Sequence, residues 1–286
     1  MTELGLALVS GVLYGLSLLL TTIGLTLIFG VGRVVNFAHG AIYALGAFLG
    51  ASATQVIGFP AAVIIVPIAV GLVAIILERI LIRRLRRISE MTILLFTFGL
   101  GIVLEAVLVM IWGAYSYTVP MPAALSGSFA VLGGHVPIYA VFLAAVSLLT
   151  TGLLICGLHL TQFGLRVRAA SEEPASAELA GVDVESVFTC VFGIGTGLAA
   201  LSGVLVVPFV GASAGMAQPI TVLVFIIVIT GGLGSLSGTI IASILVGVIV
   251  TLGATYASSA AYLVLFASVI AVLLLRPYGL VASRSE

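Results

Sequence analysis

Almost the whole chain consists of apolar stretches long enough to cross a lipid bilayer. A transmembrane helix needs about 20 apolar residues, because an unpaired backbone group in the roughly 30 Å hydrocarbon core is prohibitively costly. Hydrophobic residues make up 62% of the 286 residues and charged residues 7%, against roughly 25% charged residues in soluble domains. A water-soluble fold is excluded. We expect an all-α polytopic membrane protein in which residues 1–286 form a single transmembrane domain.

The apolar stretches predict eight or nine transmembrane helices. Six are clearly delimited, at residues 4–29, 36–57, 60–82, 91–112, 137–160 and 186–207. The last third contains two shorter runs, 219–230 and 239–255, which are joined by a Gly-rich break and followed by a final span at 258–275. The chain crosses nine times if both short runs span the membrane, and eight times if one of them only enters it.

Arginines in short loops predict the orientation, because such loops are retained on the cytoplasmic side. They form three groups: Arg83, Arg84, Arg86 and Arg87; Arg166 and Arg168; and Arg276 with Arg284. If these groups are cytoplasmic, the uncharged loop 113–135 and the N-terminus lie outside. An odd number of spans then brings the C-terminus inside.

Polar residues within the apolar spans are candidates for function. Asn36 and His39 lie at a membrane boundary, where their side chains need partners inside the protein; a helix cap for Asn36 and a structural role for His39 are the alternatives. Burying the Glu105 carboxylate in an apolar span costs at least ~2.5 kcal/mol. Glu105 could line a permeation route, pair with a partner subunit, or be protonated and hydrogen-bonded within the bundle.

Two Gly-rich breaks, at residues 29–40 and 231–238, interrupt the hydrophobic pattern in a similar way and suggest a weak internal repeat. Interrupted segments in two halves of a chain indicate a transport pathway, because unwound backbone is tolerated only beside a cavity or inside protein. In the second break the candidate residues are Gly231, Gly232 and Gly234. Close helix packing or simple turns are the alternative.

The longest polar segment, residues 161–183, predicts a short helix on the cytoplasmic side. Pro174 suits the first helical position, and Gly181 suits the residue just past the helix end. The helix would carry a small apolar patch formed by Ala175, Leu179 and Ala180, suited to a groove on a partner protein. A solvated connector is the alternative.

The chain has no nucleotide-binding motif of its own. All ten basic residues are arginines, so no lysine can complete a G-x-x-x-x-G-K-S/T loop. Any ATP must be bound by another subunit. Cys156 and Cys190 lie in apolar runs, where thiols pack as small hydrophobic groups, and we expect neither a metal nor a cofactor. The net charge of zero and the scattered arginines also make nucleic acid an unsuitable partner.

Residues 30–46, with the sequence GVGRVVNFAHGAIYALG, resemble the first-half signature of branched-chain amino-acid ABC importer permeases of the Liv type. The segment from 164–169 to 180–181 is similar to the loop with which that family contacts its ATPase. Residues 231–235 with Gly238 are similar to its second-half signature, and the span containing 97–100 and 104–105 matches in pattern. The likeness covers nearly the whole chain, with its motifs in the expected order.

The resemblance implies a pore subunit in the inner membrane that is not itself an enzyme. Its implied partners are two cytoplasmic ATP-binding subunits, a periplasmic solute-binding protein, and a second permease in a heterodimer or homodimer within membrane lipid. The implied substrate pathway comprises Asn36, His39, Tyr43, Glu105, Gly231, Gly232 and Gly234. The implied ATPase-coupling residues are Arg166, Arg168, Glu172, Glu173, Ala177 and Gly181.

The cargo is less constrained, because permeases of this type carry branched-chain amino acids, other amino acids, urea or short amides. Glu105 departs from the resemblance, since the family often has an uncharged amide there, and this bears on whether leucine, isoleucine or valine is carried. An ion-coupled secondary transporter is the alternative function. It would need more buried ionisable groups than Glu105 and the boundary residues Glu78 and Arg79.

Overall fold

The computed structural model describes residues 2–86 and 88–281, and these residues are mainly helical. The helices are α1 (Thr2–Gly32), α2 (His39–Ile57), α3 (Phe59–Leu77), α4 (Arg83–Arg86), α5 (Glu90–Trp112), α6 (Ile138–Leu160), α7 (Gln162–Glu172), α8 (Pro174–Leu179), α9 (Val184–Val210), α10 (Ala217–Gly231), α11 (Leu236–Tyr256) and α12 (Ala261–Leu275). A π-helical turn, Glu78–Ile82, joins α3 to α4, and the strands β1 (Ser128–Val131) and β2 (Gly134–Pro137) form an antiparallel hairpin. Arg87 and Arg284, which entered the orientation argument, lie outside the described residues.

Within the described ranges, seven helices are long and apolar enough to cross a membrane: α1, α2, α3 with its continuation to Arg86, α5, α6, α9 and α11. The helices α10 and α12 are apolar but shorter, with 15 residues each. The predicted all-α polytopic fold is therefore confirmed. The two short helices are the reason that the sequence left the number of crossings between eight and nine.

Helices α1 and α9 form the centre of the bundle, and small residues let their backbones touch. A Cβ atom on Gly195 would lie 2.6 Å from the carbonyl oxygen of Gly24, so neither position can carry a side chain without moving a helix. In lipid such close packing replaces the hydrophobic effect as the force between helices. The α3, α5 and α6 helices are peripheral and expose large apolar side chains such as Ile64, Leu95 and Leu149.

Helix α2 begins part-way along α1 rather than at its end. The Nε2 atom of His39, the first residue of α2, lies 2.9 Å from the carbonyl oxygen of Thr21. At 1.5 Å per residue, Thr21 is roughly 16 Å from the end of α1. Residues 33–38 therefore run back into the bundle as irregular backbone, and Asn36 and Ala38 in this segment are buried.

The two ends of the bundle are distinguished by the segments that meet there. At the hairpin end, the first turn of α1 packs on the β1–β2 hairpin, since a Cβ on Gly5 would lie 2.7 Å from Cδ1 of Leu132. At the opposite loop end, the Ser171 hydroxyl of α7 donates a 2.5 Å hydrogen bond to the carbonyl of Gly30 near the end of α1. The backbone N–H of Leu280 donates to the carbonyl of Thr230 at 2.8 Å. The described C-terminal residues thus share the loop end.

Candidate functional site

A groove of about 380 Å³ lies between α5 and α10. From α5 it is lined by Phe98, Gly101, Ile102 and Glu105, and from α10 by Gln218, Thr221, Val222, Phe225, Ile226 and Ile229. Both sets follow the three- and four-residue spacing of a single helix face. Phe37, from the irregular segment before α2, joins the two walls: its ring stacks on Phe225 with centroids 4.6 Å apart and meets the edge of Phe98 at 6.2 Å.

A hydrogen bond connects the two walls of this groove. Gln218 Nε2 donates to Glu105 Oε1 at 3.2 Å. Of the described residues that line the groove, Glu105 alone is ionisable. The sequence identified Glu105 but missed Gln218, because the apolar run was taken to begin one residue later. An amide immediately before a short apolar run was the available signal.

Asn36 and His39 are buried as predicted, but neither lines the groove. The Asn36 Oδ1 accepts the backbone N–H of Ala38 at 3.1 Å, so part of the side chain stabilises the turn into α2. His39 Nε2 carries a hydrogen, because its partner is the carbonyl of Thr21, which can only accept. Asn36 Nδ2 and His39 Nδ1 have no hydrogen-bond partner among the described residues. Asn36 also lines an apolar cavity of about 190 Å³ between α2, α3 and α5.

The other predicted pathway residues lie in two further places. Tyr43, one turn after His39, lines a cavity of about 140 Å³ together with Tyr14, Ser17, Thr21 and Ser202. Gly231, Gly232 and Gly234 lie at the tight turn from α10 to α11, and Gly232 and Gly234 have φ angles of +105° and +80°. None of the three glycines lines the groove. Glu105 is thus the one predicted pathway residue that does so.

The sequence paired the break at residues 29–40, before α2, with the break at 231–238, after α10. In the structure the segment that corresponds to 29–40 lies before α10 instead. A Cβ on Gly40 would lie 2.6 Å from the carbonyl oxygen of Ala217, so the first turns of α2 and α10 meet at the same depth. The connection into α10 is fixed by Tyr117 and Ala212, whose backbones exchange two 2.8 Å hydrogen bonds. Helices α2 and α10 therefore start beside each other within the bundle, as expected of interrupted helices in transport proteins.

The polar segment 161–183 forms two helices, α7 and α8, where one was predicted. Both are attached to the loop end of the bundle, because Val167, Ala170 and Ala177 belong to a buried cluster that includes Leu158 and Phe188. Arg166, Glu172 and Glu173 are exposed, whereas Arg168 is half-buried and donates to the carbonyl of Leu158. One side of the segment is thus packed on the bundle, and its other side is exposed; we call the two helices together the α7–α8 projection.

The ends of α8 agree with the prediction. The helix begins at Pro174, and Gly181 follows its end with φ +85°. The N–H of Gly181 donates to the carbonyl of Glu178 at 2.9 Å and that of Val182 to Ala177 at 3.0 Å, which is a Schellman cap. Ala177 faces the protein, so it holds α8 in place, while Leu179 is 91% exposed.

An ion pair with a buried carboxylate connects the end of α3 to the start of α9 at the loop end of the bundle. Glu78 in the π-helical turn is fully buried, and its Oε2 accepts a 2.5 Å hydrogen bond from the hydroxyl of Thr189. Arg83 Nη2 donates to the same hydroxyl at 2.7 Å and lies 3.9 Å from Glu78 Oε2. Arg83 Nη1 is 3.4 Å from Glu185 Oε2. The arginine therefore compensates a carboxylate that would otherwise be costly in this position.

The comparisons with known proteins decide the family. The family model described as the permease component of a branched-chain amino acid transport system matches residues 7–275. The chain belongs to this permease family. The permease is 28% identical to the high-affinity branched-chain amino acid permease protein LivH of Escherichia coli K12, over 95% of this chain and 93% of the relative.

Two further relatives agree. Identity is 29% to BraD of Pseudomonas aeruginosa, over 96% of this chain and 94% of the relative. It is 27% to a probable LivH of Methanocaldococcus jannaschii, over 94% and 90%. No solved structure matches the permease significantly. The resemblance found in the sequence is confirmed, and the chain is a multi-pass membrane permease and not itself an ATPase.

Proposed function

We propose that this permease is the pore subunit of an ATP-binding-cassette importer in the inner membrane. Its cargo is an amino acid of the branched-chain type or a related small polar solute such as urea or a short amide. The observation that carries the proposal is the family match over residues 7–275. The relatives are named for branched-chain amino acid transport, and importers of this kind hydrolyse ATP on partner subunits.

The groove supports a second permease as a partner. Glu105 and Gln218 open onto the outside of the single chain, where hydrocarbon would penalise a carboxylate. This face therefore needs water or protein against it. A second permease, different from this chain or identical to it, would cover the groove and leave a polar route between the two subunits, with Glu105 on its wall.

The α7–α8 projection supports docking of the cytoplasmic ATP-binding subunits. Leu179 is a large, exposed apolar side chain on α8, whereas the opposite side of α7 and α8 is packed on the bundle. Interfaces of this kind use an apolar anchor with a polar rim, and the same segment exposes the charged side chains of Arg166, Glu172 and Glu173. Movement of the ATPases would act on this projection.

In this proposal the loop end is cytoplasmic and the N-terminus lies outside. The hairpin end then faces the periplasmic solute-binding protein, and the described C-terminal residues lie on the cytoplasmic side. Asn36, His39 and Tyr43 would shape the interrupted start of α2 that supports the groove. Gly231, Gly232 and Gly234 would hold the α10–α11 turn at the loop end.

Reconstitution tests the proposal. The permease, its partner permease and the ATP-binding subunits are co-purified, placed in proteoliposomes with a solute-binding protein, and assayed for uptake of leucine, urea and acetamide. We expect uptake of one solute that requires ATP and stops when the ATPase site is inactivated. Flux driven by a proton or sodium gradient without ATP would instead support a secondary transporter.

A further inference from the structure

We propose that the groove between α5 and α10 binds the ammonium group of its solute, with Glu105 as the counter-ion. The apolar part of the solute lies against Phe37 and Phe225. This inference rests on the proposed function and narrows its cargo to small solutes that carry an ammonium group and an apolar portion, which excludes urea and simple amides.

The charge of the groove comes from one residue. Among the described residues that line it, Glu105 alone is ionisable, and Glu105 takes part in no ion pair of the described residues. Gln218 is its hydrogen-bond partner and contacts only Oε1. Oε2 therefore remains open to a donor from the solute. A carboxylate with apolar neighbours interacts more strongly with a cation than it would in bulk water.

Glu105 is also held in position, which a chance surface carboxylate is not. It lies on the same face of α5 as Phe98 and Ile102, and the amide of Gln218 contacts it from the opposite wall. An ammonium group brought to Oε2 would form an ion pair together with its hydrogen bond, whereas the N–H of urea or an amide can give the carboxylate a hydrogen bond only. The groove thus discriminates by charge.

The remaining walls define the rest of the ligand. The stacked rings of Phe37 and Phe225 have centroids 4.6 Å apart, and aromatic faces attract cations as well as apolar groups. Ile102, Val222 and Ile226 continue this surface. The volume of about 380 Å³ falls within the range of small-molecule sites, roughly 300–1,000 Å³. A solute with an ammonium head and a short hydrocarbon portion matches these walls.

Protection from thiol labelling tests the inference directly. Val222→Cys is introduced with Cys156 and Cys190 replaced by alanine, and the assembled importer is labelled in lipid nanodiscs without the solute-binding protein. Three probes are compared: leucine, leucinamide and N-acetyl-leucinamide, of which only the last lacks an ammonium group. We expect the first two to protect the cysteine at concentrations at least about tenfold lower than the third.

Variants of Glu105 assign the effect to the carboxylate. Glu105→Gln should abolish the difference between the probes, and Glu105→Asp should retain part of it. Equal protection by all three probes, or unchanged discrimination in Glu105→Gln, would overturn the inference. Loss of the second permease from purified Glu105→Gln importer would also overturn it, because Glu105 would then serve subunit association. ATP-dependent uptake by the wild-type importer tests the proposed function separately. If that uptake is present, a negative labelling result overturns the ammonium site and not the proposed function.

Discussion

Gln218 Nε2 lies 3.2 Å from Glu105 Oε1, so the first turn of α10 is joined to α5 across the groove. The same turn of α10 packs on the first turn of α2 at Gly40. The position of Glu105 relative to the opposite wall therefore depends on how closely α2 and α10 approach each other. A change in the packing at Gly40 should therefore also change the contact between Glu105 and Gln218.

Gly40→Ala should destabilise the permease. Its Cβ would lie 2.6 Å from the carbonyl oxygen of Ala217 and 3.0 Å from the backbone nitrogen of Thr221, and backbone cannot move aside cheaply. Overpacking of this kind costs typically 1–3 kcal/mol, which should lower the thermal unfolding midpoint in detergent. Gly152→Ala on α6 is the matched control, because nothing lies within 4 Å of its added Cβ. Equal midpoints for the two variants would contradict the described packing.

Replacing Arg83 alone should destabilise the permease more than replacing Arg83 and Glu78 together. Arg83→Met leaves the fully buried Glu78 without its ion-pair partner, and breaking a buried pair costs about 3–5 kcal/mol. The double variant Glu78→Gln with Arg83→Met removes both charges and should be more stable than Arg83→Met alone. A double-mutant cycle on thermal unfolding measures this difference. A double variant as unstable as the sum of the two single changes would show that the pair is not coupled.

Gly181→Ala should weaken the projection that α8 forms. Gly181 has φ +85°, a conformation that costs an L-residue roughly 1–2 kcal/mol. Gly181→Asn is the matched variant, because asparagine adopts the left-handed region more readily. We expect Gly181→Ala to reduce co-purification of the ATP-binding subunits and Gly181→Asn to retain most of it. If both variants lose the ATP-binding subunits to the same extent, the left-handed backbone conformation of residue 181 is not the cause of the loss.

Leu179→Asp should reduce retention of the ATP-binding subunits by at least about tenfold, the effect expected of an interface anchor. The side chain is 91% exposed, so the folded permease should tolerate the change. Tyr115→Asp provides the control, since Tyr115 is 84% exposed in the loop before the β1–β2 hairpin, far along the chain from α8. If Leu179→Asp retains the ATPases as well as Tyr115→Asp does, α8 is not their docking element.

Much of the fold could be predicted from the sequence, because a bilayer imposes a length and an apolar composition on each helix. The ends of α8 could be predicted as well, since Pro174 and Gly181 have strong local preferences. The Gly-rich break at 29–40 marked the irregular segment before α2, but Asn36 and His39 were wrongly placed at a membrane boundary, because α2 begins beside Thr21 inside the bundle. Each of these features depends on neighbours in the sequence.

The groove could not be predicted, because it depends on which helix faces meet. Glu105 and Gln218 are far apart in the chain, and no local pattern pairs them. Glycine composition also could not distinguish the turn at Gly232 and Gly234 from an interruption at depth, since glycine serves both. The start of α10 beside Gly40 follows a segment of small residues at 211–215 that was not singled out from the sequence.

The central claim, that the groove is a wall of the transport route, is tested most directly by a thiol reagent that is charged and cannot enter lipid. Val222→Cys lies in the groove, whereas Leu153→Cys lies on the exposed face of α6, and both are made with Cys156 and Cys190 replaced by alanine. The account predicts that the reagent blocks ATP-dependent uptake through Val222→Cys, that transported solute slows the block, and that Leu153→Cys is unaffected. Unimpaired uptake after complete labelling of Val222→Cys would contradict it.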